Sequence, residues 1–167
     1  IPPYGSSEAL VVTDKEATGA LVNINYPIQS AKPDLTAGKY RADLVNQLFT
    51  MMLNQRLQEI TQQSNPPFLY ASAGYYGFLR GTENFRASAN VGTGDVKRGL
   101  DALAEEIERV KRYGFTQAEM DRVKKNVRSG MERQYNNRDK TESDLYVEEY
   151  VRNFLTGEAI PGIEKEF

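Results

Sequence analysis

The stretch between residues 40 and 78 constrains the fold of this chain more than any other part of it. Its first part carries apolar residues at helical spacing, and two adjacent prolines then end the helix at residues 66 and 67. The sequence that follows, FLYASAGYYGF, combines small and aromatic residues and is typical of a strand. A long apolar helix that leads directly into a strand predicts a packed core made of helices and a sheet.

The flanking sequence extends this core into an α+β domain. Alternating apolar and polar residues predict half-buried strands at 19–27 and 83–91, and a short β-type run precedes them at 8–14. The other predicted elements are a strand at 68–77 and helices at 37–63, 95–113, 116–137 and 141–156. We therefore expect the order β-β-α-β-β-α-α-α, in which an antiparallel or mixed sheet of about four or more strands has helices packed on one face.

The long helix is predicted to be buried on nearly all sides. Val45, Leu48, Met52 and Ile60 lie near one line on its surface. Further apolar side chains widen this stripe in the middle of the helix: Leu44, Phe49, Met51, Leu53 and Leu57. The pattern places Leu48 in the core, so Leu48→Ala is expected to lower the free energy of unfolding by about 2–5 kcal/mol.

Capping residues mark the helix ends. Asp34 or Thr36 is positioned to cap the long helix, and Thr116 followed by Glu119 predicts a capping box at the start of helix 116–137. Gly157 and Pro161 are expected to close the last helix.

The length and composition indicate one folded domain over residues 1–167. Hydrophobic residues make up 40% of the chain and charged residues 26%, which is typical of a globular domain. A chain of 167 residues supports one good core, and no linker or internal repeat divides it. Because the chain starts at Ile1 rather than at a methionine, we expect it to be a fragment of a longer protein.

The composition also excludes several classes of function for this domain. The chain contains no histidine and no cysteine, so it lacks the residues of histidine-dependent zinc sites, Ser-His-Asp catalysis and thiolate chemistry. A net charge of −2, with 21 basic and 23 acidic residues, argues against a nucleic-acid partner. No apolar run approaches the roughly 20 residues of a membrane span. We predict that this domain has no catalytic residues and no metal ligands of its own.

Other local patterns have simpler explanations than a site. The glycines of Gly92-x-Gly94 are expected to form a strand-to-helix turn, because the complete nucleotide-binding motifs are missing. The acidic groups Glu105-Glu106-Glu108 and Glu148-Glu149 are interspersed with basic residues and are interpreted as solvated helix faces.

The tyrosines of strand 68–77 are the best candidates for a binding role. Tyr70 shares one face of the strand with Ser72 and Gly74, while Tyr75 lies on the opposite face. The neighbouring small residues allow another backbone or a ligand to come close. Two interpretations stay open: the tyrosines pack against helices and cover an edge or an interdomain surface, or they contact a peptide directly.

Four stretches of the chain resemble the pitrilysin/insulinase family of zinc peptidases, and specifically one of its non-catalytic repeat domains. They are Leu53-Asn54-Gln55-Arg56-Leu57-Gln58-Glu59-Ile60, Phe68-Leu69-Tyr70-Ala71-Ser72-Ala73-Gly74, Gly114-Phe115-Thr116-Gln117-Ala118-Glu119-Met120, and Arg138-Asp139-Lys140-Thr141-Glu142-Ser143-Asp144 with Ile160-Pro161-Gly162-Ile163-Glu164. They are spread along the chain between residues 53 and 164. The resemblance implies copies of one α+β domain that enclose a chamber around a peptide, with zinc held by H-x-x-E-H in a neighbouring catalytic copy.

The resemblance also implies roles for individual residues. In a late repeat of the family an arginine and a tyrosine contact the substrate near the metal, and the matching positions here are Thr61 and Tyr70. The threonine argues against a role near the metal and favours the copy that follows the catalytic domain. Its implied function is chamber-forming and peptide-binding, and we predict Tyr70, Ser72 and Tyr76 as the substrate-binding residues.

Partners and compartment follow from the same resemblance. The expected partners are the neighbouring repeat domains of the same chain and a peptide substrate, and the exposed sheet surface suggests self-association of the isolated domain. A bacterial, periplasmic protein is expected. Two alternatives are a domain of an inactive, peptidase-like scaffold that lacks any zinc site and an unrelated α+β binding module.

Overall fold

A computed structural model describes residues 7–29, 36–79, 82–92 and 94–166 of the chain. Its strands are β1 (Ala20–Gln29), β2 (Tyr70–Leu79) and β3 (Thr82–Val91). Its helices are α1 (Ala37–Thr61), α2 (Val96–Tyr113), α3 (Gln117–Asn136), α4 (Ser143–Thr156) and α5 (Ile163–Glu166), with a short 3₁₀ turn at Arg138–Lys140. No helix within these ranges is both long enough and apolar enough to cross a bilayer.

The strands form one antiparallel sheet in the order β1-β3-β2, so β3 lies at the centre and both other strands lie at edges. The α+β class is confirmed, but the expectation of four or more strands is wrong for the described residues, which contain three. The run at 8–14 pairs with no strand there, and Leu10, Val11 and Val12 are each more than 80% exposed. A β-prone sequence without a neighbouring strand leaves its backbone groups unpaired and does not form a sheet element.

Strand β1 runs two residues past the predicted end at Pro27. An edge strand tolerates proline where the missing N–H would not face the neighbouring strand, so the proline does not end the pairing. Pro27 stands opposite Asn84 in the register of the sheet.

The helices pack on one face of the sheet and bury its small and apolar side chains. Ala71, Ala73, Ala87 and Ala89 form the middle of this face, and all four are nearly inaccessible to solvent. Because these sheet side chains are small, bulky residues from the helices and from the segment just before β2 fill the space above them. The largest fully buried residues are Phe68, Leu53, Leu57, Leu103 and Val91.

Only the C-terminal half of α1 belongs to this core. The buried side chains of α1 are Met52, Leu53 and Leu57, whereas Val45 is 56% exposed. Leu48 is half-buried and lies outside the buried cluster. The prediction of burial on nearly all sides, with Leu48 in the core, is therefore wrong. The apolar stripe continues toward the N-terminus of the helix, but the described elements do not cover it there.

The predicted helix ends agree with the structure. Thr36 caps α1 by accepting a hydrogen bond from the Lys39 N–H at 3.2 Å, whereas Asp34 lies outside the described residues. Thr116 and Glu119 form the expected capping box at the start of α3. Gly157 ends α4 in the left-handed region, with φ of 74°, a conformation that glycine adopts without strain.

Candidate functional site

The sheet face opposite the helices is open in the described structure. Four rows of residues cross it from β1 through β3 to β2. We call these twelve residues the open face: Leu21, Asn90 and Tyr70; Asn23, Ser88 and Ser72; Asn25, Arg86 and Gly74; Pro27, Asn84 and Tyr76. Most of them are exposed, and Leu21 and Tyr70 are each more than half exposed.

The three residues predicted to bind substrate all lie on this face. Tyr70 is in the first row, Ser72 in the second and Tyr76 in the fourth, so together they follow the length of β2. Tyr70 is 55% exposed and Tyr76 is 45% exposed. Tyr75 points to the helical side instead, in agreement with the alternation of the strand. The structure thus brings Tyr70, Ser72 and Tyr76 onto one accessible surface.

Tyr75 belongs to an aromatic cluster on the core side of the sheet. Its ring centroid lies 5.3 Å from that of Phe85 and 6.3 Å from that of Phe49, at tilted or edge-on angles that favour aromatic packing. Phe49 also contacts Phe115 at 5.6 Å, which links α1 to the start of α3. The role of Tyr75 is therefore to pack the core.

Polar side chains of β1 and β3 form hydrogen bonds with each other on the open face. The Ser88 hydroxyl donates to Asn23 Oδ1 at 2.7 Å, and Asn84 Nδ2 donates to Asn25 Oδ1 at 3.2 Å. Asn84 is only 7% exposed, and its Oδ1 has no hydrogen-bond partner among the described residues. The open face is therefore mainly polar on β1 and β3, and its two tyrosines lie on β2.

One cation lies among these polar side chains. Arg86 Nε donates to Asn25 Oδ1 at 3.2 Å, and its guanidinium carbon lies 5.5 Å from the centre of the Tyr76 ring. The Tyr76 ring in turn covers Gly74, where an added Cβ would lie 3.3 Å from the ring atoms. Glycine at position 74 thus leaves room for the Tyr76 ring close to the strand, where it contacts the arginine.

The outer edge of β2 is partly occupied by a side chain of α1. Asn54 Nδ2 donates to the Ala73 carbonyl at 2.8 Å, and Asn54 Oδ1 accepts from the Ala73 N–H at 2.8 Å. This pair of bonds reproduces what a neighbouring strand would supply at that residue. The sequence showed Asn54 only as part of the family motif, and its role depends on a contact across 19 residues of chain.

The Arg56 side chain joins three helices from the opposite side of α1. Its Nε and Nη2 atoms contact the two oxygens of Glu119 at 2.5 and 2.9 Å, and Nη1 contacts Glu106 at 3.2 Å. Nη2 also donates to the Gly114 carbonyl, and the guanidinium stacks on the Phe115 ring at 4.8 Å. The pKa of Glu119 falls to about 2, first because of its hydrogen bond to Arg56 and then because of bonds from Thr116.

This network corrects the interpretation of the Glu105-Glu106-Glu108 group as a solvated face. Glu106 is only 2% exposed and bonds to both Arg56 and Arg109. Glu105 and Glu108 are more accessible. A cleft of about 500 Å³ opens beside the network, but its charged groups are already paired with each other. We interpret it as a structural connection between helices rather than a binding site.

The described residues offer no group of three or more histidine, cysteine, aspartate or glutamate side chains that could hold a metal ion. Thr61, the position at which the resemblance implies an arginine in other repeats, is the last residue of α1, and its hydroxyl donates to the Gln58 carbonyl at 2.7 Å. This hydrogen bond stabilises the last turn of the helix.

Comparison with known proteins identifies the family. The sequence profile of the Peptidase M16 inactive domain matches residues 2–127, three quarters of the chain. The chain belongs to the peptidase M16 family. This confirms the resemblance to the insulinase-type zinc peptidases and to their non-catalytic domain.

Individual relatives are similar over nearly the whole chain. A "Zinc protease PQQL-like" protein of Arabidopsis thaliana is 28% identical over 168 residues, which cover 99% of this chain and 14% of that protein. The solved periplasmic protease PqqL of Escherichia coli has the same fold, with a TM-score of 0.79 and 15% identity over 93% of this chain and 17% of that one. A "Predicted insulinase family protease" of Yersinia pestis gives a TM-score of 0.68 at 14% identity over 92% of this chain and 33% of that one. The chain therefore spans about a seventh of its curated relative.

Proposed function

We propose that this M16 inactive domain forms part of the wall of a peptidase chamber and binds peptide on the open face of its sheet. The observation that carries the proposal is the alignment of Tyr70, Ser72 and Tyr76 along one accessible face, while the helices cover the other. Exposed tyrosines supply large, rigid contact surfaces with a polar end, and they are enriched where proteins bind peptides and other proteins.

The catalytic part of this function belongs to another domain. The chain has no histidine, so the zinc and the general base would be supplied by a neighbouring catalytic repeat of the parent protein. The relatives support this division, since the chain corresponds to only 17% of a PqqL chain that is described as a periplasmic protease. We propose the periplasm as the compartment, a zinc metallopeptidase as the parent protein, and the copy after the catalytic domain as the position.

The polar edge interactions support binding on the face rather than addition of a strand at the β2 edge. Asn54 already occupies the N–H and C=O of Ala73, so a peptide that paired with β2 there would have to displace both bonds. On the face itself no such pair of backbone bonds has to be displaced among the described residues, and Tyr70 and Tyr76 are both exposed there.

Truncation of the tyrosines tests the proposal. We expect Tyr70→Ala and Tyr76→Ala each to weaken the binding of labelled, unstructured peptides by about three- to tenfold, the usual range for one aromatic contact. Fluorescence anisotropy with a panel of end-blocked peptides of unrelated sequence measures the dissociation constants. Tyr113→Ala is the matched control, because Tyr113 is 80% exposed and lies at the end of α2 away from this face.

The result that would overturn the proposal is equal binding by the wild type, both tyrosine variants and the Tyr113 control.

Zinc analysis of the full-length parent protein distinguishes an active peptidase from an inactive scaffold. One zinc ion for each parent chain, with peptidase activity, supports the peptidase, whereas a parent without zinc that still binds peptides supports the inactive scaffold.

A further inference from the structure

The open face carries a single charged residue. Of its twelve residues, four are asparagines, two are serines, two are tyrosines, and only Arg86 is ionised at neutral pH. The chain as a whole has 23 acidic residues against 21 basic ones, so the absence of acidic side chains from this face is not a consequence of composition. A bound peptide would therefore meet one positive charge and no negative charge on these residues.

Arg86 is held in place but not neutralised. Its described partners are the Asn25 amide oxygen and the Tyr76 ring, neither of which carries a charge. The Asn25 bond uses only the Nε–H, and a guanidinium has four more N–H groups on its terminal nitrogens. Both contacts restrict the movement of the guanidinium, and its remaining donors have the spacing that forms two parallel bonds to a carboxylate.

The position of Arg86 selects the kind of carboxylate. Arg86 lies on the central strand, in the third of four rows. Tyr70 lies in the first row, at one end of the face, and Tyr76 lies in the row next to Arg86. A peptide that contacts both tyrosines follows β2 and passes beside Arg86 with its interior residues. The carboxylate that meets the guanidinium then comes from a side chain rather than from the end of the peptide.

We propose that Arg86 recognises an aspartate or glutamate side chain in an extended peptide bound across the open face, so that the domain selects acidic segments. This inference rests on the proposed function, because it assigns a specificity to the same peptide-binding surface. Tyr70 and Tyr76 supply the contact area, and Arg86 supplies the charge that distinguishes one peptide from another.

The test uses labelled peptides blocked at both ends that differ at one central residue: glutamate, glutamine or lysine. We expect the wild-type chain to bind the glutamate peptide about five- to tenfold more tightly than the glutamine peptide, and the lysine peptide most weakly. Arg86→Gln should abolish the preference, and Arg86→Lys should retain part of it because the charge remains without the planar fork. Arg128→Gln, which removes an exposed arginine of α3, should leave it unchanged.

The outcomes distinguish this inference from the proposed function. All peptides could bind the wild type and Arg86→Gln equally well, while Tyr70→Ala weakens the binding of every peptide. The surface would then bind peptide, but Arg86 would not select acidic residues. If a glutamine peptide with a free C-terminus binds as tightly as the blocked glutamate peptide, the side-chain assignment is wrong. If no peptide binds, both proposals fail. Thermal unfolding of Arg86→Gln confirms that a loss of preference does not come from a loss of fold.

Discussion

Single side chains connect the long helix to the rest of the fold, and Asn54 is the most direct example. Its amide bonds to both backbone groups of Ala73 at the outer edge of β2. Asn54→Ala would leave this N–H and C=O without a partner at a position covered by α1, and an unsatisfied buried group costs about 1–3 kcal/mol. We expect a loss of that size in the free energy of unfolding, measured by urea denaturation.

Asn46→Ala is the control for this change. Asn46 lies two turns earlier on the same helix and is exposed, so its replacement should alter stability by less than about 0.5 kcal/mol. If both variants lower the free energy of unfolding by similar amounts, the effect of Asn54→Ala comes from the helix itself rather than from the strand edge.

The Arg56 network predicts a defined dependence of stability on pH. The folded-state pKa of Glu119 is about 2 against an ordinary value of 4.5, because Arg56 and Thr116 stabilise its ionised form. A depressed carboxyl pKa stabilises the fold fully above the unfolded pKa, and the contribution is lost as the pH falls from roughly 5 toward 2. Across this window we expect the wild type to lose about 1–3 kcal/mol more stability than Glu119→Gln.

Glutamine at position 119 is the suitable replacement because it can still complete the capping box with Thr116 while it removes the charge. Urea denaturation at several pH values measures both proteins. Parallel loss of stability in the two proteins on acidification would contradict a role for the Arg56–Glu119 pair.

At the scale of elements, the contact of α2 with the sheet depends on Gly99. A Cβ at this position would lie 2.3 Å from Val91 Cγ1, far inside any normal contact. Gly99→Ala should therefore destabilise the domain by about 1–3 kcal/mol, although alanine is the better helix former. Gly130 of α3 is the matched case, because the nearest atom to its added Cβ is a flexible arginine nitrogen at 4.0 Å. Gly130→Ala should stabilise by up to about 1 kcal/mol, and thermal unfolding of both variants tests the contrast.

Elements with a clear local pattern were predictable from the sequence. The alternation of β3 and the capping box of α3 depend on neighbouring residues, and the structure places both as expected. The run at 8–14 and the first half of α1 show the limit, since an apolar pattern indicates which face is to be covered but not whether another element covers it. Such coverage is a tertiary property.

The same limit applies to the candidate site. Alternation alone places Tyr70 and Ser72 on one face of their strand, but the sequence pattern does not show that Arg86 of another strand lies on the same face of the sheet. Its neighbours Asn25 and Tyr76 reach it through the sheet register, across 61 residues of chain in the case of Asn25. Arg56 and Glu106 meet across 50 residues in the same way, so the sequence around Glu106 does not show that its carboxylate is buried. Local sequence patterns do not contain such pairings.

At the scale of the whole molecule, the two uncovered surfaces differ in chemistry. The open face is mainly polar, whereas α4 has no buried side chain among those described and exposes a continuous apolar stripe. Val147, Val151 and Phe154 lie on one side of this helix, and Phe154 is 87% exposed. An apolar surface of this kind marks a contact with another protein unit. We therefore propose that α4, rather than the sheet, packs against a neighbouring repeat domain of the parent chain.

This assignment predicts how the isolated chain behaves. Without a neighbouring domain, the α4 stripe should cause reversible self-association, seen in light scattering as an average mass that rises with concentration. Phe154→Asp should keep the protein monomeric, because it replaces the most exposed apolar side chain of the stripe with a charge, and burial of an unpaired charge is unfavourable. Tyr70→Asp should leave the association unchanged, since it alters the open face. The opposite pattern would show that the sheet surface is the contact, and constant monomer mass in the wild type would contradict self-association through either surface.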